Sequence, residues 1–181
     1  MRMILVALMM ISCLSILGCN KRMEIVEIEN TGKIDQSKKH QFEEFVFNQF
    51  LPSINKTNMN AIKSLMPARG FFPGGLITIT GQELNGFMKE KTGIMYRYLY
   101  DNPSDDGMFP WLIKKISFVD WLKRNQYSGS ILVRYNKFYD KVRDRYMIIA
   151  HVFFTESIES HEKYRFTFSY EKGRWFFSGV F

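Results

Sequence analysis

Cysteine is nearly absent from this chain. Only two of the 181 residues are cysteine, and both, Cys13 and Cys19, lie near the N-terminus. Residues 20–181 therefore contain no thiol, which excludes a disulfide framework, a cysteine nucleophile and cysteine zinc ligands from that part of the chain. A domain there must be stabilised by its hydrophobic core. Apolar material for such a core is abundant, because the chain has 17 phenylalanines, nine tyrosines and three tryptophans.

The usual sequence signatures of enzymes are also missing. There is no Gly-x-Ser-x-Gly elbow, P-loop or dinucleotide-binding fingerprint. The three histidines, His40, His151 and His161, lack the short spacing of zinc ligands. An acidic turn can be aligned with a calcium loop starting at Asn102, but Ile113 then takes the twelfth position, where that loop requires a glutamate. We therefore predict neither a metal nor another cofactor.

The apolar run at residues 3–17 is too short to span a membrane as a helix. It has 15 residues, whereas a spanning helix needs about 20. An apolar stretch of this length behind a positive charge, here Arg2, is typical of a secretory signal. The run ends in Leu14-Ser15-Ile16-Leu17-Gly18-Cys19, and this ending resembles the lipobox of bacterial lipoproteins.

The lipobox resemblance implies both an export route and an anchor. Residues 1–18 would be the signal peptide, cleaved between Gly18 and Cys19, and a diacylglyceryl group would be attached to the Cys19 thiol. Two alternatives stay open: an ordinary signal peptide, and an N-terminal anchor with a chance Gly-Cys pair. Asn20 favours the outer membrane if the host has one, because in enteric bacteria an aspartate at that position favours the inner membrane. We expect an exported protein that is lipid-anchored to the cell envelope.

Behind the anchor the sequence divides into a tether and one domain. Residues 19–37 are predicted to be the lipidated cysteine and a polar tether, in which 23–29 contains a candidate edge strand. Residues 38–181 are predicted to form a single α+β domain. The net charge of +7 fits either a bias toward solubility or weak attraction to an anionic surface ligand. Nucleic acid is not predicted as a partner, because an exported protein meets lipid headgroups and wall polymers first. No particular protein partner follows from the sequence.

Helices are predicted at the start of the domain. Apolar residues recur at helical spacing over 37–51 and 58–66, with Pro52 disrupting the first helix at its end and Thr57 capping the second. The two helices would form a hairpin across 53–56. Three further predictions are a strand at 76–79, a helix starting with the capping box Thr80-Gly81-Gln82-Glu83, and a short helix opening at 117–120. The 94–100 stretch fits a helix or a strand.

The last fifty residues predict an antiparallel sheet. Strands are expected at 131–139, 146–155, 164–170 and 175–181. The third strand alternates aromatic and polar residues, which gives it one aromatic face. The second strand is nearly all apolar, which suits a central strand covered on both faces. Gly173 supplies the positive φ for the last hairpin.

The order of helices followed by a meander, closing on the Tyr164–Phe181 hairpin, resembles the nuclear transport factor 2-like fold. That resemblance implies a curved sheet wrapping the helices into a cone. Enzymes of this fold use Asp, His or Tyr side chains that point into the cone. The candidate pocket residues are therefore His151, Asp120, Tyr146 and Tyr135. No motif aligns with the family, so no catalytic residue is assigned.

Three functions fit these features. The favoured one is a non-catalytic binding or scaffold domain anchored in the envelope. The second is a surface interaction protein that binds anionic lipids or polyanions through basic residues, namely Arg134, Lys137, Lys141, Arg143 and Arg145. The third is a small hydrolase, isomerase or dehydratase that uses His151 or Asp120.

Overall fold

The computed structural model is an α+β structure in which helices precede a C-terminal sheet. The predicted fold class is therefore confirmed. The structure describes residues 23–28, 34–68, 70, 72–73, 80, 82–83, 86, 89–101, 116–125, 128–140, 145–157, 159 and 163–180. The predicted signal segment, the 76–79 strand and the loop from Asn102 onward lie outside the described residues.

The elements follow the predicted order. The described helices are α1 (Gln36–Phe45), a π-helical turn (Val46–Phe50), α2 (Leu51–Asn55), α3 (Met59–Ser64), α4 (Gly93–Tyr100) and α5 (Phe118–Asn125). The described strands are β1 (Glu24–Glu27), β2 (Phe72–Pro73), β3 (Ser130–Asp140), β4 (Arg145–Thr155), β5 (Lys163–Glu171) and β6 (Arg174–Val180). The predicted capping box is confirmed, because the Thr80 N–H donates to the Glu83 carboxylate at 2.8 Å and the Glu83 N–H donates to the Thr80 hydroxyl at 3.2 Å.

Among the described residues, the sheet has six strands in the order β1-β3-β4-β5-β6-β2. Strands β3 to β6 form an antiparallel meander, and the short strands β1 and β2 pair in parallel at its two edges. Strand β1 lies within the stretch predicted as a tether, where an edge strand was a candidate. In the turn between β5 and β6, Lys172 and Gly173 both have positive φ, 50° and 82°, as a tight turn between antiparallel strands requires.

Aromatic rings fill the layer between the helices and one face of the sheet. Strand side chains alternate, so Ala150, Val152 and Phe154 of β4 point to the same side, and all three are fully buried. The Phe50 ring centroid lies 5.4 Å from that of Phe166 in this layer. The phenylalanines that are fully buried in the part of the chain that the structure describes are Phe42, Phe50, Phe118, Phe154, Phe166, Phe168 and Phe177. The aromatic face predicted for the third strand therefore belongs to the core.

Pro52 does not end the first helix, contrary to the prediction. The chain stays helical to Asn55, because a π-helical turn precedes the proline. The Leu51 N–H bonds the Val46 carbonyl, five residues back, and this wider turn relieves the clash between a proline ring and the carbonyl four residues earlier. Pro52 then lies in the first turn of α2, where no N–H is needed.

The second helix also differs from the prediction. Its N-cap is Asn58, whose side-chain oxygen accepts the Ala61 N–H at 3.1 Å, and not Thr57. Thr57 instead adopts a φ of 51° in the link between α2 and α3. That link is shorter than predicted, because the segment up to Asn55 is helical. The 94–100 stretch is part of α4, so the strand alternative for it was wrong.

Candidate functional site

A groove of about 350 Å³ lies where helix α1 meets the β5–β6 hairpin. Small-ligand pockets occupy about 300–1,000 Å³, so this groove suits a ligand of modest size. Its polar lining consists of Gln41, Glu44, Gln49, Ser64 and Arg174. Its apolar lining includes Phe45, Leu65 and Trp175.

Two hydrogen bonds hold the walls of the groove together. The Trp175 indole N–H donates to the Lys38 carbonyl at 3.0 Å, which joins α1 to β6. The Phe177 N–H donates to the Leu65 carbonyl at 2.7 Å, which joins the end of α3 to the same strand. The second bond pairs a carbonyl at a helix C-terminus with an N–H on a strand, two groups that otherwise need other partners. The walls of the groove are therefore fixed by contacts that also join helices α1 and α3 to strand β6.

The π-helical turn contributes Gln49 to the groove. Residues four apart in an α-helix drift around its axis, because a turn contains 3.6 residues. The wider π turn reduces that drift, and Gln49 lines the groove together with Gln41 and Phe45. Single π turns within α-helices occur frequently at functional sites. The turn that accommodates Pro52 therefore also shapes the groove.

The groove combines hydrogen-bonding groups with charges of both signs. The Gln41 side-chain oxygen accepts a bond from the Tyr170 hydroxyl at 3.3 Å, which orients the amide. The Glu44 carboxylate is exposed and lies 3.6 Å from His40 Nε2. The Arg174 guanidinium lies 4.4 Å from the centroid of the Phe176 ring. Amide and carboxylate oxygens accept hydrogen bonds and amide N–H groups donate them, so the lining suits a polar ligand.

His151, the first candidate pocket residue, lies on the sheet face that points away from the helices. It neighbours Ala150 and Val152, which point into the core, and it pairs with Arg134 on β3 and Thr167 on β5. Burial lowers its pKa, and the charge of Arg134 lowers it further. His151 is therefore neutral at neutral pH and does not point into the layer between helices and sheet.

The second face of β4 is covered only in part. Met147 and Thr155 on that face are buried, but Ile149, His151 and Phe153 are half-buried. The prediction that β4 is covered on both faces is therefore correct for the face toward the helices. On the opposite face it is correct only at Met147 and Thr155, near the two ends of the strand. An apolar sequence run gave the position of β4 in the sheet correctly and overstated its burial.

Asp120 serves helix α5 rather than a pocket. The Ser117 hydroxyl donates to the Asp120 carboxylate at 2.9 Å, and the Asp120 N–H donates to the Ser117 hydroxyl at 3.1 Å. The bond from Ser117 and a further bond from Lys123 lower the pKa of Asp120. This reciprocal pair starts the helix, as predicted for 117–120.

Tyr146 lies at the far end of the sheet from Asp120. Its side chain is 68% exposed, and its ring packs against that of Tyr139 with centroids 5.2 Å apart. Helix α5 contacts β4 at Phe154, about 26 Å along the strand from Tyr146 at ~3.3 Å per residue. The structure therefore does not bring His151, Asp120 and Tyr146 together.

Tyr135, the remaining candidate, is buried in the core. Its ring lies 5.7 Å from that of Phe42, and burial raises the pKa of its hydroxyl.

The residues predicted to form one basic face do not all lie on the same side of the sheet. Arg134 and Lys137 lie three residues apart on β3 and so point to opposite faces. Lys141 and Arg143 are outside the described residues, as is the side chain of Arg145.

Two comparisons with known proteins were negative for this chain. No family model matches the sequence, and no curated protein matches it. Within the described ranges, no helix has the length and apolar character needed to cross a membrane. In the same part of the chain, no three acidic, histidine or cysteine side chains are grouped in a way that would hold a metal ion.

Sequence reasoning missed the groove because its residues are separated along the chain. Gln41 and Gln49 belong to the polar side of an amphipathic helix, which is typical of a solvated surface. Arg174 has the sequence context of a turn residue. A detectable signal was the two glutamines flanking Phe45, but only the folded hairpin places Arg174 opposite them.

Proposed function

We propose that this chain is an exported lipoprotein, held on a bacterial envelope membrane by a lipid on Cys19. We propose further that its α+β domain is a non-catalytic binding module, with the groove between α1 and the β5–β6 hairpin as its site. The lipobox ending at Cys19 supports the first part. The single observation that carries the second is the groove itself, which gathers hydrogen-bonding groups from three parts of the fold.

The packing of the core supports binding over catalysis. Fully buried aromatic rings fill the layer between helices and sheet, where the resemblance to the nuclear transport factor 2-like fold implied a cone pocket. His151 points to the other face of the sheet, and Asp120 pairs with Ser117 at the start of helix α5. We also propose that the domain has the nuclear transport factor 2-like fold. The order of helices followed by the β3–β6 meander supports this part of the proposal.

Cys19→Ser tests the anchor. The full chain, expressed in a lipoprotein-processing bacterium, should partition into the detergent phase of a phase-separating detergent. The Cys19→Ser variant should move to the aqueous phase, because two or three acyl chains hold a protein stably and their loss removes the anchor. Cys13→Ser is the matched control and should behave as wild type. Equal partitioning of wild type and Cys19→Ser would contradict the proposal.

Ser64→Trp tests the groove. Ser64 lines the groove and is exposed, so an indole there fills the space with little effect on the core. Lys63→Trp is the matched control, on the neighbouring exposed position of α3 and outside the lining. Backbone amide NMR spectra would be recorded with a panel of amino acids, short peptides and sugars.

A binder from this panel should shift the amide signals of Gln41, Gln49 and Arg174. The shifts should disappear in Ser64→Trp and remain in Lys63→Trp. Shifts that cluster on another surface, or that survive in Ser64→Trp, would show that the groove is not the binding site.

A further inference from the structure

The chain between the proposed lipid and the folded domain is very short. Strand β1 begins at Glu24, and Met23 before it is only 5% exposed and belongs to the core. Four residue steps separate Met23 from Cys19, and an extended chain spans at most ~3.6 Å per residue. The lipidated residue therefore lies within about 14 Å of Met23.

Strand β1 is fixed to the sheet. It pairs with β3 over four residues, from Glu24 opposite Ser130 to Glu27 opposite Val133. The Ile28 N–H continues the pairing with a 2.9 Å bond to the Val133 carbonyl. The Glu27 carboxylate also forms an ion pair with Lys39 of helix α1. The anchor point is therefore one defined end of the sheet.

That end contains the start of β3, the end of β4 and the last turn of α5. Ser130 lies opposite both Glu24 and Thr155, on its two neighbouring strands. The Gly129 N–H donates to the Asn125 carbonyl at 2.8 Å, which brings the end of α5 to the same place. We call this surface the anchor end. Its exposed residues include Lys123, Arg124, Ser128, Glu156 and Ser157.

The groove lies at the opposite end of the sheet. Strand β5 starts at Lys163, which pairs with Thr155 at the anchor end, and finishes at Glu171, which pairs with Arg174 of the groove. Eight residue steps at ~3.3 Å separate the two ends by about 26 Å. Tyr139 and Tyr146 lie at this same distant end of β3 and β4.

We infer that the anchor end rests on the layer of phospholipid headgroups and that the groove opens away from the membrane. The inference depends on the lipid anchor of the proposed function. Its basis is the fixed, short connection from Cys19 to β1. Among the described residues of the anchor end, the exposed side chains named above are polar and carry both charges, which fits contact with headgroups rather than insertion into the hydrocarbon.

The scarcity of cysteine allows a clean test. After removal of the signal peptide, Cys19 is the only cysteine and its thiol carries the lipid, so one introduced cysteine can be labelled selectively. Ser128→Cys places a fluorophore at the anchor end, and Lys137→Cys places one at the distant end. Both positions are exposed. The lipidated full chain would be reconstituted into vesicles of phosphatidylethanolamine and phosphatidylglycerol, with and without a lipid that carries a nitroxide quencher on its headgroup.

We expect the nitroxide lipid to quench the Ser128→Cys probe several-fold more than the Lys137→Cys probe. A second version of each variant carries about 20 Gly/Ser residues inserted after Arg22. A flexible chain of that length spans ~25 Å on average, so the two probes should then be quenched to similar, low extents.

The outcomes separate the two claims. If the protein does not stay on the vesicles, or if Cys19→Ser binds them equally well, the lipid anchor fails. If the protein is anchored but both probes are quenched equally with the native spacer, the fixed orientation is wrong. Stronger quenching at Lys137→Cys would place the groove end on the membrane and overturn the inference.

Discussion

The Tyr98 hydroxyl accepts a hydrogen bond from the Arg165 backbone N–H at 2.7 Å. Tyr98 is on α4 and is only 1% exposed, whereas Arg165 is on β5. The last described pair between β5 and β6 is Phe166 with Val180, so Arg165 lies just beyond that pairing. A side chain from a helix thus continues the hydrogen bonding of the sheet where the neighbouring strand stops.

Tyr98→Phe should destabilise the domain. The variant keeps the aromatic ring but leaves the Arg165 N–H without this acceptor, and the loss of one such hydrogen bond costs about 0.5–1.5 kcal/mol. The midpoint and slope of urea unfolding give the change in free energy. Tyr96→Phe, on the same helix and only half-buried, is the control and should change stability by less than about 0.5 kcal/mol. Equal stability of Tyr98→Phe and wild type would contradict the assigned role.

Alkaline pH should destabilise the domain through its buried tyrosines. Burial raises the pKa values of Tyr98, Tyr100 and Tyr135 above the ordinary value of about 10. The unfolded chain therefore loses these protons first, and stability present below about pH 10 is lost as the pH rises above it. Urea midpoints measured between pH 8 and pH 11 check this. Tyr100→Phe should make the decline shallower, and an unchanged slope would contradict the assignment.

His151 should give the domain a separate sensitivity to mild acid. Its pKa is lowered by burial and by Arg134, so the unfolded state takes up a proton more readily than the folded state. Stability should therefore fall as the pH drops below about 6.5, the ordinary pKa of histidine. His151→Gln should reduce the loss of stability between pH 7.5 and pH 5.5. His40→Gln, at an exposed position, is the control.

The corrected cap of helix α3 gives a paired test. Asn58→Ala removes the acceptor of the Ala61 N–H and should cost about 1 kcal/mol. Thr57→Gly should stabilise the domain, or leave it unchanged, because glycine adopts the positive φ found there without strain. Thermal and urea unfolding of both variants measure the two effects. If Thr57→Gly lowers the free energy of unfolding more than Asn58→Ala does, Thr57 and not Asn58 is the capping residue.

The sequence was most informative where one local pattern decides the structure. Alternation in β5, the capping box at Thr80 and the glycine at Gly173 each depend on neighbouring residues, and the structure confirms all three. Pro52 was misjudged because its tolerance depends on the hydrogen bonding of the preceding turn. A rule for proline in a regular helix does not apply once that turn is π-helical.

The candidate site was harder to predict because it depends on tertiary placement. His151 is conspicuous in an apolar strand, but the alternation of β4 turns it away from the helices. Gln41 and Arg174 form one groove although they are far apart in the chain, and nothing local marks either of them. The pairing of β1 was also hard to predict, because it depends on strand β3, which is far along the chain and offers the free edge of the sheet.

The most direct test of the lipid anchor is the mass of the N-terminal peptide from the mature protein, purified from membranes of a lipoprotein-processing bacterium. We predict a peptide that begins at Cys19 and carries a diacylglyceryl group, with or without a further acyl chain. We also predict that Cys19→Ser yields no lipidated peptide. A mature protein that begins at another residue, or that retains residues 1–18 with an unmodified Cys19, would contradict the proposed lipid anchor.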